Sequence, residues 1–211
     1  MVAMSAAEAS ERIMRKAMAL GFSHVGFAQA AVLEEEGGAL REWLNRGFHA
    51  EMRWMERDPG RRSDPRQIVE QAVSVISVAM NYYTPQQHSE ERSRGKISRY
   101  AWGEDYHDLM GERLSDLEGW MKVEFPGIQT RWYVDTGPVM EKAWAVRAGI
   151  GWLGKHSNII TRDLGSWVFL GEIITTLPLD YGEPIGDYCG SCTACLDACP
   201  TKAIVEPYVV D

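Results

Sequence analysis

The sequence has no apolar run approaching the length needed to span a bilayer, no surplus of positive charge, and no cysteine outside one short segment near its end. Each absence narrows the function. Without a long apolar run, no membrane partner is expected. The net charge of −8 argues against a broad, non-specific nucleic-acid surface, which needs basic stripes, although a local basic pocket remains open. Glu8, Glu11 and Arg12 interrupt any signal-peptide core, and no twin-arginine leader opens the chain, so the expected location is cytoplasmic and reducing. Thiolates survive in such a compartment. None of the five histidines shows a spacing such as H-E-x-x-H, and there is no G-x-S-x-G, no dinucleotide fingerprint, no internal repeat and no low-complexity tract.

What the chain has instead is Cys189-Gly-Ser-Cys192-Thr-Ala-Cys195-Leu-Asp-Ala-Cys199-Pro200, which contains all four of its cysteines. The spacing C-x2-C-x2-C-x3-C-P is the bacterial ferredoxin pattern for a 4Fe-4S cluster. Structural zinc sites favour two cysteine pairs separated by a long loop, and disulfides suit an oxidising compartment, so both fit less well. In two-cluster ferredoxins the fourth cysteine ligates the other cluster. No second run precedes Asp211. Either all four cysteines serve one cluster, or the protein continues and a second cluster follows. Lys202-Ala-Ile-Val-Glu-Pro207 reads as the start of a ferredoxin hairpin whose partner is absent.

Hydrophobic periodicity predicts a helix over 5–20, a strand over 22–27, a helix over 39–46 after the breaker Gly37-Gly38, and helical structure over 50–57. Asp64-Pro65 marks a turn. Val73–Tyr83 is β-branched and nearly unbroken, as a strand covered on both faces would be. A polar loop follows over 85–96, and then a helix over 104–123. A strand over 131–134 runs into Asp135-Thr-Gly-Pro138, with Pro138 at the first position of a helix reaching Ala148. The last long strand is 167–176, and 178–186 is a linker to the cysteine segment. Helix and strand alternate in an α+β fold of α/β layers. The division is a large domain over 1–177 and a small iron–sulfur segment over 178–211. Eight Trp and eight Tyr suit either core packing or the walls for a large flat cofactor.

Asp135, at a strand end before a helix, is the most suggestive acid. It is either a capping carboxylate or an acid that keeps its proton through burial and donates it. Gly149-Ile-Gly151-Trp-Leu-Gly154-Lys155-His156-Ser157-Asn158 departs from the P-loop pattern and reads as a tight turn or a loop that approaches a ligand closely. Asp105-Tyr-His107 is close to a cobalt-ligating D-x-H-x-x-G signature, but Gly111 falls one position late, so the segment reads as a helix start. Arg61-Arg62 and Arg92-Ser-Arg94 read as solvated faces.

Several segments taken together resemble one family. They are Ser98-Arg99-Tyr100-Ala-Trp102-Gly-Glu-Asp105-Tyr106-His107, RWYVDTGPVMEKAWAVRAGIGWLGKHSNII (131–160), GSWVFLGEIITT (165–176) and CGSCTACLDACPTKAI (189–204). The chain resembles the epoxyqueuosine reductases, cobalamin-dependent iron–sulfur enzymes of tRNA modification. The resemblance implies a nitroreductase-like cobalamin-binding domain followed by a partial ferredoxin-like domain. It implies reduction of epoxyqueuosine to queuosine and water at the wobble position of a tRNA with a GUN anticodon, fed by a flavodoxin or ferredoxin, in a monomeric protein. Cobalamin would bind base-off, without a protein histidine. Asp135 would be the proton donor, and Cys189, Cys192, Cys195 and Cys199 the cluster ligands. Arg57, Arg99, Tyr100, Ser157, Asn158 and Ser166 are candidate contacts to the cofactor or substrate. The second cysteine run and helical-repeat tail of that family are missing here. Competing readings are an electron-transfer or cobalamin-binding protein without tRNA activity, a cytoplasmic relative of reductive dehalogenases, and a zinc-stabilised interaction module.

Overall fold

The computed structural model describes residues 4–211. Its helices are α1 (Ala6–Ala19), α2 (Glu34–Asn45), α3 (Pro59–Ser63), α4 (Tyr106–Glu124), α5 (Glu141–Arg147) and α6 (Ala194–Ala198). Its strands are β1 (His24–Gln29), β2 (Ser74–Asn81), β3 (Thr130–Tyr133), β4 (Trp152–Leu153), β5 (Ile159–Ile160), β6 (Val168–Thr175), β7 (Ile204–Glu206) and β8 (Val209–Val210). One antiparallel sheet has the order β1-β2-β6-β3, while β4 pairs with β5 and β7 with β8. Among the described residues no helix is long and apolar enough to cross a membrane.

The alternation of side chains along β2 and β6 builds three layers. Ile76, Val78 and Met80 of β2 and Ile173 of β6 point to one face, where Ile13 and Ala17 of α1 and Met110, Leu114, Leu117 and Met121 of α4 cover them. Val75 and Ala79, with Val168, Leu170 and Ile174, point to the other, against Trp144, Ala145 and Ala148 of α5. Each fully buried Leu, Ile or Met contributes about 1.5–3 kcal/mol by leaving water. The expectation of a strand covered on both faces therefore holds: Ser74 to Met80 are all buried. The α1 helix starts where Ser5 and Glu8 form a reciprocal capping box.

Several local expectations are corrected. The second helix runs through Gly37-Gly38 instead of starting after them, because α2 lies so close to α3 that a Cβ on Gly37 would stand 2.6 Å from the Ser63 hydroxyl. Residues 50–57 supply only a 3-10 turn, Arg53–Glu56. Pro138 lies outside α5, which begins at Glu141, because 134–140 form an irregular loop before it. The hairpin strand after the cysteines does have a partner: β7 pairs with β8 across a turn in which Tyr208 takes φ 71. The sheet is wholly antiparallel, so the strand-end crevice of parallel α/β sheets is not the reason for a site at Asp135.

Gly26 shows how tightly α5 is seated. A Cβ there would lie 2.2 Å from the Ala148 carbonyl oxygen. Gly26→Ala is expected to destabilise the chain by about 1–3 kcal/mol through overpacking, measured as a lower urea midpoint at unchanged slope. An unchanged midpoint would show that α5 can move away from β1 at no cost.

Candidate functional site

β3 ends at Tyr133, and two residues later Asp135 adopts φ 54, a left-handed conformation that a non-glycine residue takes up only when its surroundings enforce it. The Asp135 backbone N–H donates to Glu141 Oε1 at the start of α5. Its side chain, 59% exposed, reaches the first turn of α4, where Oδ2 lies 3.2 Å from His107 Nε2. The other ring nitrogen of His107, Nδ1, lies 2.7 Å from Asp105 Oδ1. Asp105 caps α4 by accepting the His107 backbone N–H at 2.9 Å. The imidazole is thus clamped between two carboxylates. Partial burial pulls its pKa down, but the hydrogen bonds to Asp105 and Asp135 and their charges outweigh this and raise it. Asp105 is held below the usual carboxylate range by the backbone N–H and ring of His107.

Apolar and buried groups surround this array. Tyr106 stacks on Phe169 with centroids 4.1 Å apart and an interplanar angle of 3°. Burial, then the charges of Asp135 and Glu141, push its phenol up to about 12. Burial also pushes the Glu141 carboxyl up to about 7 and lowers the Lys142 ammonium. Glu172, opposite Ser77 in the sheet register, is fully buried on the face that α5 covers. Burial and the nearby Glu141 raise it well above the ordinary carboxylate range. The acid that the chain buries here is therefore Glu172, with Glu141 half-buried above it and Asp135 exposed. An open cleft of about 720 Å³ lies between α4 and β3, lined by His107, Trp132, Tyr133, Val134 and Thr136 among others.

The sequence-predicted residues fall into three groups. Arg99, Tyr100 and Ser166 lie against the aromatic groups Trp167, Tyr106 and Tyr82. Arg99 lies over Trp167 at 5.3 Å, the Ser166 carbonyl accepts from Tyr82 at 3.5 Å, and Tyr100 lies close enough to Tyr106 to affect its phenol. Ser157 and Asn158 lie in the β4–β5 turn. The Ser157 carbonyl accepts from Lys142 Nζ at 2.9 Å, its hydroxyl donates to the Tyr208 carbonyl at 2.8 Å, and the Asn158 side chain accepts from Ile159 N–H. Arg57 stands apart, ending the 3-10 turn at Glu56. The glycines of 149–154 serve the chain's own packing: a Cβ on Gly151 would lie 2.3 Å from the Ile160 carbonyl oxygen.

The same turn holds the cysteine segment. Lys155 Nζ donates to the carbonyls of Gly190 (2.6 Å) and Cys192 (3.0 Å), and Trp43 Nε1 donates to the Val210 carbonyl at 2.7 Å. All four cysteines are free thiols. Among the described residues no three Cys, His, Asp or Glu side chains are gathered into a group that could hold a metal ion. The donors nevertheless fit thiolate ligation in kind. The Cys199 thiol is drawn down to about 7, first by the Ile204 backbone N–H and then by the Thr201 hydroxyl. Sequence reasoning missed His107 as a partner of Asp135, and missed Glu141 and Glu172 altogether. The available signal for Glu172 was a lone acid inside the apolar strand Val168–Thr175.

Comparison with known proteins gives this geometry its context. The family model "Epoxyqueuosine reductase QueG, DUF1730" matches residues 62–136. The epoxyqueuosine reductase of Synechocystis sp. is 50% identical over 189 residues, covering 89% of this chain and 65% of that protein. That of Cyclobacterium marinum is 45% identical over 210 residues, covering 99% of this chain and 68% of that protein. A solved epoxyqueuosine reductase carrying an epoxyqueuosine-modified tRNA-Tyr stem loop superposes with a TM-score of 0.89 at 35% identity, covering 95% of this chain and 54% of that one. The Bacillus subtilis epoxyqueuosine reductase, solved with an aspartate catalytic loop swung out of its active site, gives 0.86 at 34%, with the same coverage of 95% and 54%. A B12-dependent reductive dehalogenase at 16% identity and a TM-score of 0.59, covering 92% of this chain and 23% of that one, shares the fold alone. The chain thus spans about two thirds of the first curated relatives and about half of the solved chains. With nearly its whole length aligned at 45% identity to a relative of which it spans 68%, the chain belongs to the epoxyqueuosine reductase family.

Proposed function

We propose that this protein reduces the epoxide of epoxyqueuosine at the wobble position of a GUN-anticodon tRNA, with Asp135 as the proton donor. The observation that carries the reading is the Asp105–His107–Asp135 array in a chain of this family. The tRNA stem loop of one solved relative and the aspartate catalytic loop of another support the substrate and the acid. The fold shared with a B12-dependent dehalogenase supports cobalamin as the cofactor. Cobalamin, bound base-off, would supply a reductant that no side chain can match, with its electrons relayed by an iron–sulfur cluster.

The chain's own residues then handle protons. Opening an epoxide to an alkene breaks both bonds from carbon to oxygen, takes up two electrons and two protons, and releases water. The departing oxygen is a poor leaving group until it is protonated. Asp135, exposed at the tip of its loop, can give that proton. His107, with one nitrogen on Asp105 and the other on Asp135, can replace it along the Nε2···Oδ2 contact. Because both ring nitrogens face carboxylates, His107 is engaged as a proton carrier, which accords with cobalamin bound without a protein histidine. Arg99, Tyr100 and Ser166, beside the Tyr82, Tyr106 and Trp167 rings, are proposed contacts to the cofactor or substrate. Ser157 and Asn158 would contribute from the β4–β5 turn, and Arg57 from further off. Cys189, Cys192, Cys195 and Cys199 are the proposed 4Fe-4S ligands, on a segment tied to that turn by Lys155. The proposed division is a cobalamin-binding domain of nitroreductase type over 1–177 and a ferredoxin-like segment over 178–211, in a cytoplasmic protein fed by a flavodoxin or ferredoxin.

Asp135→Asn is expected to lower single-turnover epoxide reduction by about 10²-fold or more, the scale of a lost general acid, while the visible spectral change on adding cobalamin is retained. Undiminished turnover would remove Asp135 from the role. Anaerobically reconstituted protein is expected to show broad iron–sulfur absorption that Cys192→Ser diminishes. Colourless protein, or a spectrum indifferent to that change, would contradict the cluster.

A further inference from the structure

We infer that Glu141 is a positioning residue of this site: its ionised carboxylate holds the Asp135 loop in the backbone conformation that sets Asp135 against His107. The argument starts from strain. Asp135 at φ 54 is a left-handed aspartate, and such a conformation persists only where contacts over-determine it. Within the loop the Thr136 N–H donates to the Val134 carbonyl across Asp135 and Gly137 packs against the Tyr133 ring, while the Asp135 N–H is left for α5 to meet. What the structure supplies is the first residue of α5 itself, whose Oε1 accepts the Asp135 N–H and closes the loop. A hydrogen bond to an ionised acceptor is roughly twice as strong as one between neutral groups, so the hold depends on the charge of Glu141.

The groups facing Glu141 decide when it carries that charge. From the loop comes Asp135, whose charge opposes ionisation, and from α4 come His107, which favours it, and the Tyr106 phenol. Its neighbour Lys142 on α5 also favours it, while β6 contributes Glu172 from beneath. Glu172 Oε1 has only the Ser77 hydroxyl at 3.4 Å, and its Oε2 has no partner. Two carboxyls in one desolvated space do not both ionise easily, and the more deeply buried one keeps its proton. Glu172 is that one, which leaves the negative charge to Glu141. Glu141 is neutral below about pH 7 and ionised above it, so the loop is held more firmly as pH rises through neutrality.

The clamp stands on this geometry alone, and only its consequence for turnover rests on the proposed role of Asp135. It is tested without cofactor or substrate, by following the Asp135 backbone amide in 15N–1H NMR spectra of the protein between pH 5.5 and 8.5. The amide proton is expected to move downfield with a midpoint near pH 7. Glu141→Gln, which keeps the acceptor and removes the charge, abolishes that movement. Lys142→Gln, which removes a charge that favours ionisation, shifts the midpoint up. Asp135→Asn keeps a titrating amide, showing that the amide reports Glu141 and not the Asp135 side chain. An amide indifferent to pH, or one that titrates in Glu141→Gln as in the unaltered protein, overturns the inference. Should Glu141→Gln not fold, an unmoved midpoint in Lys142→Gln overturns it instead. Loss of epoxide reduction plays no part in these readouts, so failure of the clamp and failure of the proposed reaction are distinguished.

Discussion

The burial of β2 and β6 between helices on both faces limits where charge can lie in this molecule, and the site follows from that limit. Side chains alternate along β6, so Glu172 has to point toward α5 once Phe169 and Ile173 point toward α4. An acid in that position is cut off from water and has one weak hydroxyl contact. It is most comfortable neutral. The charge of Glu141, the first residue of the helix that covers it, adds to burial in keeping Glu172 protonated. Glu141 in turn accepts the backbone N–H of Asp135. A packing decision in the sheet thereby reaches the loop at its edge.

The result is a set of acids in graded surroundings around one imidazole. Glu172 is enclosed and Glu141 half-buried, while Asp105 and Asp135 are largely open and linked through His107. Different surroundings give like groups different tasks. Enclosed carboxyls hold protons and shape, and open ones exchange protons with whatever enters. The aromatic wall of Tyr82, Tyr106, Phe169 and Trp167, with Arg99 over its outer edge, gives the exposed end of this array a flat, apolar border. Next to Glu141, Lys142 meets Ser157, and Ser157 meets the hairpin that follows the cysteines. The proposed source of protons and the proposed source of electrons are thus tied to the same short helix through the neighbours Glu141 and Lys142.

Much of this was legible in the sequence because some residue patterns have few physical solutions. Four cysteines at ferredoxin spacing, an unbroken β-branched run, and an acid between a strand and Gly-Pro each restrict the chain strongly. The errors came where local chemistry was overridden by packing. Gly37-Gly38 reads as a breaker, yet Gly37 is the small residue that lets α2 approach Ser63. Pro138 reads as a helix start, but the loop that carries Asp135 postpones α5 to Glu141. Lys202-Ala-Ile-Val-Glu-Pro207 reads as a hairpin start without a partner, although Val209-Val210 suffices to pair with β7. His107 was visible beside Asp105, but only as a defective cobalt signature. Its link to Asp135, 28 residues away, exists only once α4 and β3 pack together. Glu141 and Glu172 lie 31 positions apart and face each other only through the sheet.

The chain carries about two thirds of the length of its first curated relatives, so its competence in catalysis is open to direct measurement. The decisive measurement is single-turnover conversion of an epoxyqueuosine-bearing anticodon stem loop by the reduced, cobalamin-loaded and iron-reconstituted protein, in H2O and in D2O. The account predicts that queuosine forms, and forms severalfold more slowly in D2O because a proton moves in the limiting step. No queuosine in either solvent, or equal rates in both, would contradict it.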